Sequence, residues 1–148
     1  MTRLAKRILV PLDGDERSEA IVPLVAAVAR DGGATVRLLR VYPVPERVEG
    51  KHGRTVEYVD QAMARLTAEG QEDLARDGAP LTGVPVESVV RFGEPTEEIA
   101  REAESFAADV IALTEPARSR LRRLVSPGLA ERVARETSVP TLVLKTVD

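Results

Sequence analysis

Hydrophobic residues along this chain form two kinds of pattern, which alternate from one end to the other. Short apolar runs bounded by Gly, Pro or Asp predict strands that are buried on both faces. Five such runs occur: ILVPL (8–12), ATVRLLRVYPV (34–44), VPVESVVR (84–91), ADVIALT (108–114) and VPTLVLK (139–145). Between them, apolar residues recur every three or four positions, as helices require. This order predicts an α/β fold with a doubly wound parallel sheet.

The first two helices are predicted from spacing alone. One runs from about Ser18 to Arg30, and its predicted apolar face carries Ala20, Leu24, Ala27 and Val28. The next helical spacing includes Val56, Val59, Met63 and Leu66, and continues past Gly70 to Leu74. The polar stretch between the second strand and this helix, Glu46–Arg54, is predicted to be a loop. Whether it closes as a lid is left open.

The last two helices have stronger start signals. Thr96 is predicted to cap the third, with Glu97 and Glu98 placed favourably against the helix dipole. The fourth runs from about Ser126 to Glu136, with Ser126 as cap and Pro127 in the first helical position. The acidic residues of the third helix are predicted to form its exposed face: Glu97, Glu98, Glu102 and Glu104.

Composition narrows the functional classes. A length of 148 residues fits one domain, residues 1–148, and a net charge of −3 with 3% aromatics argues against nucleic-acid binding. The absence of cysteine excludes disulfides and thiolate chemistry, and the single histidine, His52, leaves only carboxylates for a metal site. No apolar run is long enough for a membrane span or a signal peptide, so a cytoplasmic location is expected.

Ligands of such sheets bind where the strands end, so residues there are the candidates for chemistry. Pro11–Asp13, Val41–Pro43, Phe92–Pro95 and Thr114–Gly128 reach that rim. The Asp13 carboxylate is suited either to accept hydrogen bonds from a ribose hydroxyl or an exocyclic amine, or to stabilise a turn. Val41 is either the wall of an adenine pocket or the last core residue of its strand.

A basic loop follows the fourth strand and carries Arg118, Arg120, Arg122 and Arg123. Clustered arginines near a helix start suit phosphate binding, but a charged run is more often a solvated surface. No arrangement of nucleophile and base is evident, so catalysis has no candidate residues.

Taken together, these segments resemble the universal stress protein family over essentially the whole chain. RILVPLDGDERSEAIVPLVAAVARDGGATVRLLRVYP is similar to the family's first strand, helix and second strand. GEPTEEIAREAESFAADVIALT resembles its third-helix segment, and LAERVARETSVPTLVL its closing helix and strand. The resemblance implies a Rossmann-like sheet of five strands in the order 3-2-1-4-5, with helices on both faces. It also implies a homodimer that pairs through the last strand, Val139–Leu144, an apolar edge that favours a second copy.

The resemblance also implies a test for ATP binding. Nucleotide-binding members hold ATP with a Gly-x2-Gly-x9-Gly-Ser/Thr loop, whose glycines let backbone amides approach the phosphates. Thr114, Ala117, Pro127 and Gly128 stand at those positions here, and a shift of one residue would bring Ser126 near the hydroxyl's place. Asp13 and Val41 match the family's contacts to base and ribose.

Three functions follow from these observations. The leading expectation is a dimeric, non-enzymatic stress-response protein that binds ATP weakly or not at all, needs no cofactor and acts through unidentified protein partners. The alternative is an adenine-nucleotide sensor that uses Pro11, Asp13, Val41 and the arginines from Arg118 to Arg123. A slow ATPase is the third, and no phosphate loop or magnesium site supports it.

Overall fold

The computed structural model of the chain describes residues 5–46, 48–50, 53, 55–116 and 127–146. The strands are β1 (Arg7–Pro11), β2 (Thr35–Tyr42), β3 (Val48–Glu49), β4 (Thr55–Glu57), β5 (Val86–Phe92), β6 (Val110–Pro116) and β7 (Thr141–Thr146). The helices are a 3-10 helix (Glu16–Ile21), α1 (Val22–Gly32), α2 (Val59–Asp77), α3 (Pro95–Phe106) and α4 (Leu129–Glu136). None of these helices is both long and apolar enough to cross a membrane.

The main sheet has five parallel strands in the order β5-β2-β1-β6-β7. Counted among themselves, these strands have the order 3-2-1-4-5, which confirms the prediction. β1 lies at the centre, and the direction of strand addition reverses between β1 and β6. β5 and β7 form the two edges of this sheet.

Strand alternation divides the core into two clusters, one on each face. The cluster under the 3-10 helix, α1 and α2 includes Val10, Leu38 and Leu74. The cluster under α3 and α4 includes Leu9, Ile111 and Val133. Because successive strand residues point to opposite faces, neighbouring Leu9 and Val10 serve different clusters.

The predicted inner face of α1 is wrong. The helix buries Val22, Val25, Ala26 and Ala29, whereas Leu24 and Val28 are about two-fifths exposed. The first eight residues of this helix are all apolar, so two faces satisfy helical spacing equally well. The chain enters α1 through a 3-10 helix, whose last residue, Ile21, is already buried, and this sets which face turns inward.

The region before α2 differs from its prediction in two respects. The predicted loop contains a short strand, β3, which pairs antiparallel with β4 directly after the loop. Val56 belongs to β4 and not to a helix, and α2 begins at Val59. The side-chain oxygen of Gln61 accepts a hydrogen bond from the Tyr58 N–H at 2.9 Å, which closes the helix start. The predicted continuation beyond Gly70 is confirmed, since α2 extends to Asp77.

Both predicted caps of the later helices are wrong. The N-cap of α3 is Glu94, whose carboxylate accepts from the Glu97 N–H at 2.9 Å, while Thr96 lies inside the first turn. The N-cap of α4 is Gly128, so Pro127 precedes the helix instead of starting it. Ser126 lies outside the described residues.

The acidic face of α3 is also not the solvated surface that its sequence suggests. Glu97 and Glu104 are exposed as predicted, but Glu98 and Glu102 are only 6% and 3% exposed. Glu102 accepts from Arg37 at 2.8 Å and from Arg91 at 3.0 Å. Arginines on β2 and β5 therefore turn half of this acidic stripe into a buried ion-pair network.

Candidate functional site

The sheet opens at the carboxyl ends of its two central strands. Pairing between β1 and β6 covers only Ile8–Val110 and Leu9–Ile111, although both strands continue further. The Leu12 N–H donates to the Leu39 carbonyl of β2. Because the backbone N–H and C=O groups of successive strand residues point to opposite neighbouring strands, those positions of the preceding residue, Pro11, face β6. Because proline has no N–H to donate, the ladder ends there and leaves a crevice at the point where strand order reverses.

Two adjoining cavities occupy this crevice, and we call them together the rim cleft. The inner one, about 90 Å³, is mainly apolar and is lined by Pro11, Leu12, Asp13, Ser18, Leu39, Val41, Pro95, Ile99, Leu113, Thr114 and Leu129. The outer one, about 400 Å³, is lined by Asp13, Thr114, Glu115, Pro116, Pro127, Gly128, Leu129 and Arg132. Asp13, Thr114 and Leu129 line both and join them.

The structure brings most of the described candidate residues together in this cleft. Pro11 and Val41 line the inner cavity, Gly128 lines the outer one, and Asp13 and Thr114 line both. Ala117, Arg118 and Ser126, with the rest of the arginine-rich loop at 118–123, lie outside the described residues. The two residues that flank this segment, Pro116 and Pro127, both line the outer cavity.

Asp13 stabilises a turn at the mouth of the cleft. Its Oδ1 accepts a hydrogen bond from the Asp15 N–H at 2.8 Å, and its own N–H donates to the Ser18 hydroxyl at 3.3 Å. The structural role considered for Asp13 is therefore present. A carboxylate accepts more than one hydrogen bond, so this turn is compatible with a ligand at the same side chain.

Two successive residues of β6 that line the cleft, Thr114 and Glu115, point to opposite sides of the sheet. Thr114 faces the 3-10 helix, where its hydroxyl donates to the Ser18 carbonyl at 3.1 Å. Glu115 faces α4, and its Oε1 accepts a hydrogen bond from the Ala130 N–H at 3.2 Å. Glu115 is only 9% exposed. The first turn of α4 therefore already has a negatively charged side chain as its hydrogen-bond partner, as a helix N-terminus favours.

Gly128 matters for this close approach and not for its backbone angles, because a side chain there would force the Glu115 carboxylate to move. Its φ of −71° and ψ of 169° are open to any residue. A methyl group at this position, however, would collide with the Glu115 carboxylate. The absence of a side chain at residue 128 lets Glu115 reach the helix start.

Acidic groups dominate the described part of the cleft and its edge. Arg132 lines the outer cavity and lies near Glu94, the N-cap of α3. The pKa of Glu94 is lowered, chiefly by the hydrogen bond from the Glu97 N–H and to a smaller extent by Arg132. The pKa of Asp15 is likewise lowered, mainly by the hydrogen bond from the Arg17 N–H. Among the described residues, no group of three or more Asp, Glu or His is arranged to hold a metal ion.

Sequence reasoning assigned no role to several cleft residues, of which Glu115 is the most important, although Glu115 and Pro95 lie in segments predicted to reach the rim. Pro95, Ile99 and Leu129 are helix residues whose direction depends on packing. Glu115 did carry a signal, because it is a charged residue directly after a buried parallel strand. Strand alternation from Leu113 would have placed its side chain on the α4 face.

Comparison with known proteins identifies the class. The sequence model described as "Universal stress protein family" matches residues 5–145. The chain therefore belongs to the universal stress protein family.

Particular relatives agree with this assignment. The chain is 29% identical over 144 residues to the universal stress protein MJ0531 of Methanocaldococcus jannaschii, covering 96% of this chain and 83% of that protein. The MJ0577 protein of the same organism is 26% identical over 160 residues, covering 98% of both chains. The solved structure of MJ0577 superimposes with a TM-score of 0.75, at 24% identity and with 98% and 99% coverage.

Two further structures with the same fold contain adenine nucleotides. One is a universal stress protein solved in complex with cAMP, with a TM-score of 0.67, 16% identity and coverage of 97% and 98%. The other is from Archaeoglobus fulgidus in complex with dAMP, with a TM-score of 0.62, 19% identity and coverage of 95% and 98%.

Proposed function

We propose that residues 1–148 form a single, non-enzymatic universal stress protein domain that acts as a homodimer and holds ATP weakly or not at all. The observation that carries this proposal is the Glu115 carboxylate, which hydrogen-bonds the first turn of α4. Open α/β folds use such a helix start to bind phosphate. Here a carboxylate of the chain itself takes the place that a phosphate would need.

The residues on either side support the same conclusion. Pro127 offers no N–H, and Gly128 offers no hydroxyl where nucleotide-binding members have Ser or Thr. Thr114 stands where the resemblance places the loop's first glycine, and its hydroxyl is bonded to the Ser18 carbonyl. The loop therefore lacks the family's phosphate-binding residues, and the Glu115 carboxylate stands where the phosphate of ATP would bind.

Calorimetric titration with ATP, with and without Mg²⁺, tests the proposal. We expect no affinity tighter than about 100 µM, equivalent to less than about 6 kcal/mol of binding free energy. A dissociation constant in the low micromolar range would contradict weak ATP binding, whatever the state of the dimer.

The homodimer is proposed to form through β7. This strand is an edge of the main sheet, and it contains most of the predicted segment Val139–Leu144. Leu142 is 43% exposed there, so a second copy would cover apolar surface as well as free backbone groups. Protein partners beyond the second copy, and a cytoplasmic location, stay predictions from the sequence.

The absence of catalysis is part of the same proposal. Phosphoryl transfer needs a positioned phosphate and a metal, and Glu115 opposes the first of these. Release of phosphate from ATP above the level of an Asp13→Ala variant would contradict the non-enzymatic assignment and revive the slow ATPase.

A second candidate function is an adenine-nucleotide sensor. The relatives that hold cAMP and dAMP support it, as do Pro11, Asp13 and Val41 in the cleft. In this case the arginines from Arg118 to Arg123 would supply the charge that the backbone lacks. Binding would weaken strongly with salt and would be lost in an R118A/R120A variant. Equal affinity in the variant and the parent chain would exclude the sensor.

A further inference from the structure

Glu115 is more than an obstacle to ATP, because its position also indicates which ligands the rim cleft accepts. The inner cavity is ring-sized and mainly apolar, with the Asp13 carboxylate at its mouth. The outer cavity adds Glu115, a second carboxylate, beside the first turn of α4. An ionised carboxylate only accepts hydrogen bonds, so a suitable ligand must bring hydrogen-bond donors to both carboxylates.

We infer that Glu115 is a selectivity residue, through which the rim cleft accepts uncharged, donor-bearing nucleoside-type ligands and rejects their phosphorylated forms. This inference rests on the proposed weak binding of ATP and adds the ligand class. Ribose hydroxyls and an exocyclic amine are donors of the required kind. A phosphate at the same place would be an acceptor without a donor, next to a carboxylate that is nine-tenths buried.

Because Glu115 is buried, it should repel a phosphate more strongly than a carboxylate on the protein surface would. Repulsion between like charges grows as the surrounding medium becomes less polar and as screening by salt is reduced. Glu115 is also held in place, because it accepts from Ala130 and packs against Gly128. An anion that enters there must therefore either displace Glu115 from this hydrogen bond or lie beside its charge.

Arg132 is the described basic residue that lines the cleft, and it does not cancel this effect. Arg132 is exposed, so solvent and salt screen its charge, and it also has a minor electrostatic interaction with Glu94 at the edge of the cleft. Glu115 is buried and faces the helix start directly. Between the two, the group that a phosphate must displace is Glu115.

The decisive experiment compares adenosine and ATP, with and without Mg²⁺, in calorimetric titrations of the parent chain and an E115Q variant. Glutamine keeps an oxygen that accepts from the Ala130 N–H, so the helix start is preserved while the charge is removed. We expect the parent chain to bind adenosine at least tenfold more tightly than ATP. In E115Q, the affinity for ATP should rise at least tenfold, while that for adenosine changes less than threefold.

Two further variants make the result specific. E131Q removes one negative charge from an exposed position in the first turn of the same helix, outside both cavities. Its affinity for ATP should stay within threefold of the parent's. E115A removes the carboxylate entirely and should raise the affinity for ATP in the same direction as E115Q.

The outcomes separate this inference from the proposed function. Tight ATP binding by the parent chain would refute both. No binding of adenosine by the parent would refute the ligand class and leave weak ATP binding intact. An unchanged affinity for ATP in both E115Q and E115A, or an equal gain in E131Q, would show that Glu115 is not the selectivity residue.

Discussion

At the scale of single residues, the buried carboxylates of α3 are the clearest example of charge placed by the fold. Glu102 is 4% exposed at its side chain and lies between Arg37 and Arg91, which are 19% and 29% exposed. Arg37 also stacks over the Phe106 ring, with 4.2 Å between the guanidinium carbon and the ring centroid. One carboxylate thus organises two cations from neighbouring strands beneath a helix.

Removing that carboxylate should be costly. We expect E102A to lower the free energy of unfolding by about 3 kcal/mol, the lower end of the range for breaking a buried ion pair, because both arginines keep some contact with water. Urea unfolding followed by circular dichroism measures the change. The matched control is E104A, which truncates an exposed glutamate of the same helix and should change stability by less than about 0.5 kcal/mol. Equal effects in the two variants would mean that the network contributes nothing specific.

At the scale of elements, two helices end with the same backbone conformation but with different residues. The residue that caps the end of α1 is Gly33, with φ of 65°, and the residue that caps the end of α3 is Ala107, with φ of 55°. Both N–H groups donate back to the helix, Gly33 to Ala29 and Ala107 to Ala103. The left-handed conformation suits glycine and strains any residue with a Cβ atom.

Exchanging these residues should therefore move stability in opposite directions. We expect A107G to raise the free energy of unfolding by about 0.5–1 kcal/mol, because relief of strain exceeds the added chain entropy. G33A should lower it by about 1 kcal/mol, and since open space surrounds Gly33, this loss reflects backbone strain alone. Thermal unfolding of both variants tests the pair. A loss of stability in A107G would show that this helix end is not held in the left-handed conformation.

At the scale of the whole molecule, the two edges of the sheet offer a controlled test of the dimer. β5 and β7 each expose one large aliphatic side chain, Val86 at 39% and Leu142 at 43%. A lysine on an edge strand opposes pairing with another chain. A lysine can therefore be introduced on either edge strand of the same sheet.

If the proposed homodimer forms through β7, we expect L142K to be a monomer and V86K to remain a dimer. Light scattering coupled to size-exclusion chromatography measures the mass of each variant at the same concentration. Dissociation of V86K but not L142K would place the seam on β5. A monomeric parent chain would refute the homodimer altogether.

The sequence alone predicted the five strands of the main sheet, the four α-helices and their order, because spacing along a strand or helix is a local property. The sequence predicted the buried face of a helix and the N-cap residues less well, because more than one choice fitted the local pattern. The first eight positions of α1 are all apolar, so spacing did not decide which face is buried. The helix starts near Thr96 and Ser126 looked well capped locally, yet Glu94 and Gly128 take these positions.

For the candidate site, the sequence determined where to look and identified five of the described residues that line the cleft. Pro11, Asp13, Val41, Thr114 and Gly128 follow from the rule that parallel strands end at one rim, and from the family's motif positions. Only the tertiary structure decided that Glu115 occupies the start of α4 and that Glu102 is buried between arginines. Glu115 and Ala130 are separated by 15 positions in the chain, and Arg37 and Glu102 by 65 positions. The charges of these glutamates acquire a role only when packing removes them from water.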